Sequence, residues 1–286
     1  MRTIITLSSI PPRFALLRPT LESLVRQNAT VEAIRLYIPH SYRRFPDWDG
    51  TLPAVPGGVT IVRTSDDPGP ATKILPALRE TAGQDVDILF CDDDRIYDPD
   101  WATRFQALRR QRPRCALAEA GWDIRDIPLS ARRAERLPRA QKSGREGRYR
   151  LKRIFSLGLW KPARFATSGY VDVLAGYGGV MVKPDFFTPA VFDIPEPLWT
   201  VDDPWLSGNL ELNGIPIWLN AAHSLSRERS AARRESLLKF GDGGLQRGAA
   251  NRACVAWYRQ NHGIWQAETP AVSARSPARN RAAGPA

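Results

Sequence analysis

The chain's 286 residues, 43% hydrophobic and 25% charged, suffice for one large α/β domain or two small ones with a sizeable core. No apolar run approaches the ~20 residues of a membrane-spanning helix, and MRTIITLSSIPPRF has too short an apolar stretch for a signal peptide, so the expectation is a cytoplasmic protein. The net charge of +11 belongs to two segments, 131–153 with ten Lys/Arg against two Glu and 224–239 with five against two. The remainder is neutral and has no basic groove spread across the fold, so no nucleic acid is expected as a partner. Cys91, Cys115 and Cys254 are widely spaced and odd in number, which indicates neither a disulfide framework nor a zinc cage and leaves buried or free thiols.

RTIITLSS is a β-branched run ending in small polar residues, and PTLESLVRQN, after IPPRF, repeats Leu21, Leu24 and Val25 at helical spacing. That reads as strand, loop and helix. VEAIRLYIP is a second strand; GVTIVRTSDD is a third and leads through PGPATK into a helix around KILPALRE. VDILFC is nearly all apolar, as a strand covered on both faces is, and DPDWATRFQALRRQ is the helix after it. The alternation predicts an α/β fold, a mostly parallel sheet flanked by helices, with the site beyond the carboxyl ends of the strands.

The segment 131–153 is polar and reads as an excursion loop or short helix. YVDVLAGYGGVMVKPDFF is a Gly-punctuated strand pair, VDDPWLSGNLELNG is helical after Pro204, and IPIWLNAAH is a short strand. The stretch 268–286, rich in Ala, Pro and Arg, reads as a disordered tail.

Between VDILFC and the next helix stand Asp92, Asp93 and Asp94. In a strand, Asp92 and Asp94 share a face and Asp93 points opposite. Two converging carboxylates repel unless a cation sits between them, and Mg²⁺ or Mn²⁺ takes such oxygen ligands while leaving positions for phosphate. Asp98, with Pro99 at the first helical position and Asp100 in the first turn, reads instead as the cap of the next helix.

On these residues the chain resembles nucleotide-sugar-dependent glycosyltransferases of the GT-A fold, in which a Rossmann-like sheet ends in an Asp-x-Asp motif that binds a divalent metal and the donor diphosphate. The resemblance covers roughly 2–223. It implies a single catalytic domain over 1–267, with a nucleotide-binding half at 1–120, the basic insertion, and a small, partly antiparallel acceptor-side half at 168–267. Asp92, Asp93 and Asp94 form the motif, with Asp92 and Asp94 on the metal and Asp92 and Asp93 toward the donor. Thr6, Ser8 and Arg13 are placed at base and ribose, Asp67 or its neighbour Asp66 at the base, and Lys73 at a phosphate. Gly176, Gly178 and Gly179 permit close approach of backbone to ligand, with a β-bulge as the plain alternative.

Asp203 is the implied base, with Asp202 beside it, and Asp203 also suits the helix cap. His223 is an implied third metal ligand, and Arg227 and Arg229 an implied clamp on the diphosphate. The implied reaction moves a sugar from a UDP-linked or similar donor to a glycan, lipid-linked or other hydroxyl acceptor, with inversion. Two other readings are a metal-dependent phosphotransferase or nuclease and a non-enzymatic binder of polyanions or anionic membrane surface acting through 131–153. The basic segment also leaves room for a weak peripheral contact with the inner face of a membrane.

Overall fold

The computed structural model describes residues 2–143, 165–221, 227–228 and 247–266. The strands in chain order are β1 (Arg2–Ser8), β2 (Ala33–Pro39), β3 (Val59–Thr64), β4 (Val86–Phe90), β5 (Arg95–Ile96), β6 (Ala116–Ala118) and β7 (Gly121–Trp122). They continue with β8 (Gln141–Lys142), β9 (Phe165–Thr167), β10 (Gly169–Val171), β11 (Val173–Leu174), β12 (Val180–Val182), β13 (Ile217–Leu219) and β14 (Arg227–Glu228). The helices are α1 (Arg18–Val25), α2 (Leu75–Glu80), α3 (Trp101–Gln111), α4 (Asp203–Leu212) and α5 (Arg247–His262).

One eight-stranded sheet runs β10-β13-β6-β12-β4-β1-β2-β3. The half β3-β2-β1-β4 is parallel; α1 lies in the crossover from β1 to β2 and α2 in that from β3 to β4, while β2 returns to β3 through 40–58 without a helix. In the other half β12 is antiparallel to β4 and β6, β13 is parallel to β6, and β10 is antiparallel to β13. This is the Rossmann-like, mostly parallel sheet the sequence predicts.

Alternation along the strands fills two layers. Ile4, Ile88 and Phe90 pack with Ile74, Leu75 and Leu78 on one face, while Ile5, Leu7 and Leu89 pack with Leu21, Leu24, Trp101 and Phe105 on the other. β4 is buried throughout because both faces are covered. A third cluster, including Val201, Trp205, Cys254, Tyr258 and Trp265, joins α4 to α5. Gly208 is the contact point: a Cβ there would stand 2.2 Å from the Tyr258 ring.

Several expectations are corrected. β4 stops at Phe90, so Asp92 to Asp94 lie in the turn after it and strand alternation does not govern them. α3 begins at Trp101, not Pro99; Asp98 accepts the Asp100 N–H at 3.1 Å and clasps Arg104 at 2.6 and 2.8 Å. The Gly-punctuated strand pair is β11 and β12 separated by a 3₁₀ turn, Gly176–Gly178.

The described part of the basic segment is largely exposed loop, as expected, but three of its arginines are paired with acids of other elements. Arg132 pairs with Asp172; Arg139 pairs with Asp123 and, at 2.6 Å, with Asp172; Arg136 meets Glu211 at 3.2 Å. These arginines tie the segment to the fold and leave less charge for a membrane or polyanion. Residues 144–153 and the expected tail, 268–286, lie outside the described residues. The three cysteines are buried and free, as expected. Among the described residues no helix is long and apolar enough to cross a membrane.

Candidate active site

The strand order reverses between β1 and β4: successive strands step one way from β1 through β2 to β3, and the next parallel strand lies on β1's other side. Such a switch point opens a crevice beyond the carboxyl ends of the two strands. Ser8 and Ser9 close β1, and the acid triplet follows β4. The two loops are joined across 84 residues by the Ser9 hydroxyl, which donates to Asp93 Oδ2. Arg13 donates to Asp93 Oδ1 at 2.7 Å and lies 3.5 Å from Asp94 Oδ2. The Thr20 hydroxyl donates to the Asp93 carbonyl at 3.0 Å, and the Tyr97 hydroxyl both receives the Asp92 N–H at 3.2 Å and donates to the Asp92 carbonyl at 3.1 Å. The triplet is therefore fixed in shape by its neighbours.

Lys73, in the 3₁₀ turn before α2 and 5% exposed, reaches Asp92 Oδ1 at 2.6 Å and Asp202 Oδ2 at 2.7 Å. Burial opposes its charge, but the carboxylates of Asp202, Asp92 and Asp203 prevail and hold its pKa well above the ordinary value. Gly176 makes this contact feasible, since a Cβ there would sit 2.5 Å from Lys73 Nζ and 3.1 Å from Asp92 Oδ1. The Gly176 N–H donates to Asp203 Oδ1 at 2.9 Å, so Lys73 and the Gly176 turn together fix both carboxylates that open α4. Asp202, not Asp203, is the cap position, and no side chain caps the helix. Asp203's carboxylate is turned to Gly176 instead.

These contacts revise the electrostatic argument from sequence. The acids do not need a dication in order to coexist, because Lys73 and Arg13 supply cations from within the chain. Among the described residues a surplus nonetheless persists: on this wall of the cleft six carboxylates, Asp67, Asp92, Asp93, Asp94, Asp202 and Asp203, stand with four cations, Arg13, Arg44, Lys73 and Arg95. Asp94 registers it most clearly. Burial first, then Asp92 and Asp93, push its pKa up to about 6; its Oδ1 is buried, lies 3.6 Å from Arg95 Nε and accepts no hydrogen bond among the described residues. No group of three or more His, Cys, Asp or Glu suited to a metal occurs among the described residues. A hard dication held by one or two carboxylates and a ligand's phosphates does not need such a group, and Asp92 with Asp94 fits that arrangement.

Other expected residues divide. Ser8 and Arg13 line the cleft, whereas Thr6 is fully buried within β1, its hydroxyl without a partner among the described residues. Thr6 therefore does not line the cleft; the small polar residues here that do are Ser8 and Ser9. Asp67 lines the cleft, but its oxygens receive the N–H groups of Arg43 at 2.8 Å and Gly69 at 3.0 Å, and burial raises its pKa. Asp66 is exposed and lies 3.6 Å from Arg79. A Cβ on Gly178 would strike Ala120 and one on Gly179, at φ +92°, the Trp101 ring, so these two glycines serve packing rather than a ligand. The backbone of Arg227 pairs with Ile96 through β14 and β5, two residues past Asp94. His223 and Arg229 lie outside the described residues.

Sequence reasoning missed two groups. Tyr42, Arg44 and Phe45 line the cleft from SYRRF, directly after β2; the rule that sites lie beyond strand carboxyl ends, applied to β2 as to its neighbours, would have found them. Trp199 stands near them, its indole N–H donating to the Asp67 carbonyl at 2.8 Å and its ring 4.8 Å below the Arg43 guanidinium. The second group forms the facing wall, from 121–126, Lys142 and α5. Its helix was legible in the apolar spacing of Ala250, Cys254, Val255 and Tyr258. The walls enclose about 1090 Å³, the upper end of the range for small-molecule sites.

The fold and cleft define an α/β protein with a crevice at a topological switch point. No family model matches the chain, and no curated protein is similar to it in sequence. Solved structures with partial likeness include S. aureus TarS 1-349 in complex with UDP, with TM-score 0.41 and 11% identity over 79% of this chain and 60% of that one. Another is the same protein in complex with UDP-GlcNAc, with TM-score 0.41 and 12% identity over 82% and 61%. The chain thus spans about three-fifths of those structures, and likeness at this level carries no argument about what it does.

Proposed function

We propose that the chain is a glycosyltransferase that moves a sugar from a nucleoside-diphosphate sugar, UDP-linked in the first instance, to an acceptor hydroxyl. The observation that supports this reading is Lys73 bridging the triplet after β4 to the acid pair opening α4, which brings the acids we assign to the donor and the carboxylate we assign as base to one cleft. Phe45 and Trp199 supply apolar surface for a base, and Arg13 and Ser8 polar contacts for ribose or phosphate. In this reading Asp92 and Asp94, with the donor's phosphates, hold Mn²⁺ or Mg²⁺, which when bound offsets charge developing on the leaving diphosphate. His223 is the third ligand in the same reading.

Lys73 holds Asp92 and Asp202 in place. Asp202 is engaged by Lys73 at 2.7 Å, which leaves Asp203 as the base in this reading. Its Oδ1 is oriented by the Gly176 amide, and a carboxylate so placed takes the proton of the attacking hydroxyl. Attack from the face opposite the diphosphate inverts the anomeric centre. The test is incubation of the full chain with UDP- and GDP-sugars, Mn²⁺ and a panel of acceptors, following nucleotide release and the product's anomeric configuration by NMR. An inverted product is expected. Failure to release nucleotide from any donor overturns the activity, and a retained anomer overturns the role of Asp203.

A further inference from the structure

The facing wall carries its own chemistry. Among its lining side chains, Arg259 is spent on Asp126, with two contacts of 2.8 Å, and Asp123 on Arg139, which also meets Asp172 at 2.6 Å. Once these pairs are set aside, Arg125, Lys142 and Arg252 remain. All three are exposed, line the cleft, and have no ion-pair or hydrogen-bond partner among the described residues. They come from three separate elements, the loop after β7, β8 and α5, so no single helix face or charge run accounts for all three lining one cleft. Trp122, partly buried on the same wall, adds a ring of the kind against which a sugar packs. Among the described residues the donor wall has a surplus of carboxylate, and this wall a surplus of cation.

We propose that this wall is the acceptor subsite and that it selects an acidic acceptor, a glycan bearing carboxylate or phosphate groups. The proposal deepens the glycosyl-transfer reading and relies on it only for the role of acceptor; the anion preference rests on the wall itself. A polarised cleft orients such a substrate. Its anionic groups are drawn to Arg125, Lys142 and Arg252 and repelled by the acids of the donor wall, which leaves a neutral hydroxyl to face Asp203.

The experiment titrates the full chain calorimetrically, with UDP and Mn²⁺ present, against three probes: trigalacturonate, the neutral trigalactoside of the same linkage, and that trisaccharide carrying one phosphate monoester. Replacement of Arg125, Lys142 and Arg252 together by Ser is the variant, and UDP affinity is measured in parallel on both proteins. At least one anionic probe is expected to bind about tenfold more tightly than the neutral one, equivalent to ~1.4 kcal/mol, with the preference falling in high salt and vanishing in the variant. The two anionic arms tell carboxylate from phosphate. Equal binding of charged and neutral probes, no binding of either anionic probe, or an unchanged preference in the variant overturns the proposal. If UDP fails to bind while the charge preference persists, the anion-binding subsite stands and the donor reading falls.

Discussion

The two walls of the cleft are built on opposite plans. The acid-rich wall, to which we assign the donor, is largely buried and cross-linked: Lys73, Arg13 and Ser9 hold the acids in fixed positions, and among the described residues the carboxylates outnumber the cations. The facing wall is exposed at its charged tips and carries surplus cations that answer to no acid among the described residues. The difference teaches how charge can be read. A charge bound into a buried network does structural as well as chemical work, and its removal is felt by the fold. One standing on an exposed rim contributes little to stability and acts on ligands.

Chemical effect separates the walls first. Asp203→Asn is expected to lower the rate of transfer by roughly 10²–10⁴, with UDP affinity changed less than twofold; a variant of near-normal rate would move the base elsewhere. On stability, Lys73→Met strands Asp92 and Asp202 in a buried setting and should cost about 3–5 kcal/mol in urea unfolding. Arg252→Ser on the rim should cost under about 0.5 kcal/mol. If the two cost the same, the contrast between the walls is wrong.

Asp94 gives a pH-resolved check. Its carboxyl keeps a proton to about pH 6 in the fold but only to about pH 4 in the unfolded chain. Between these values the native state binds the extra proton, so this group's contribution to stability falls as pH rises from about 4 to 6 and stays lost above. Unfolding in EDTA should show that decline in the parent and lack it in Asp94→Asn, which becomes the more stable of the two above pH 6. The smallest effect belongs to Thr6→Val. Removing a buried hydroxyl without a partner should stabilise by about 1 kcal/mol and leave nucleotide affinity alone, whereas lost affinity would return Thr6 to the donor site.

Local pattern made much of this legible. Strands such as VDILF announce themselves by composition, and the triplet, Lys73 and the acid pair before α4 stand out as single residues in short motifs. The triplet's surroundings were hidden, because the Ser9–Asp93 contact spans 84 residues and only the folded sheet brings its ends together. Strand periodicity misled where a strand ended sooner than its apolar run suggested: Cys91 is buried yet lies past β4, so facing rules were applied to residues in a turn. The basic segment misled for a related reason. A count of charges along the chain cannot see that Arg132, Arg136 and Arg139 meet Asp172, Glu211 and Asp123 from distant elements. The cations that do reach the cleft were unremarkable in sequence because each comes from a different element.

The central claim, a nucleotide-sugar donor held at the β1/β4 crevice, is tested most directly by calorimetric titration of UDP and GDP into the full chain and into Asp94→Asn, each with Mn²⁺ and with EDTA. The account predicts nucleotide binding in the parent that weakens at least about tenfold on chelation or in Asp94→Asn. Absence of binding in the parent under every condition would contradict it.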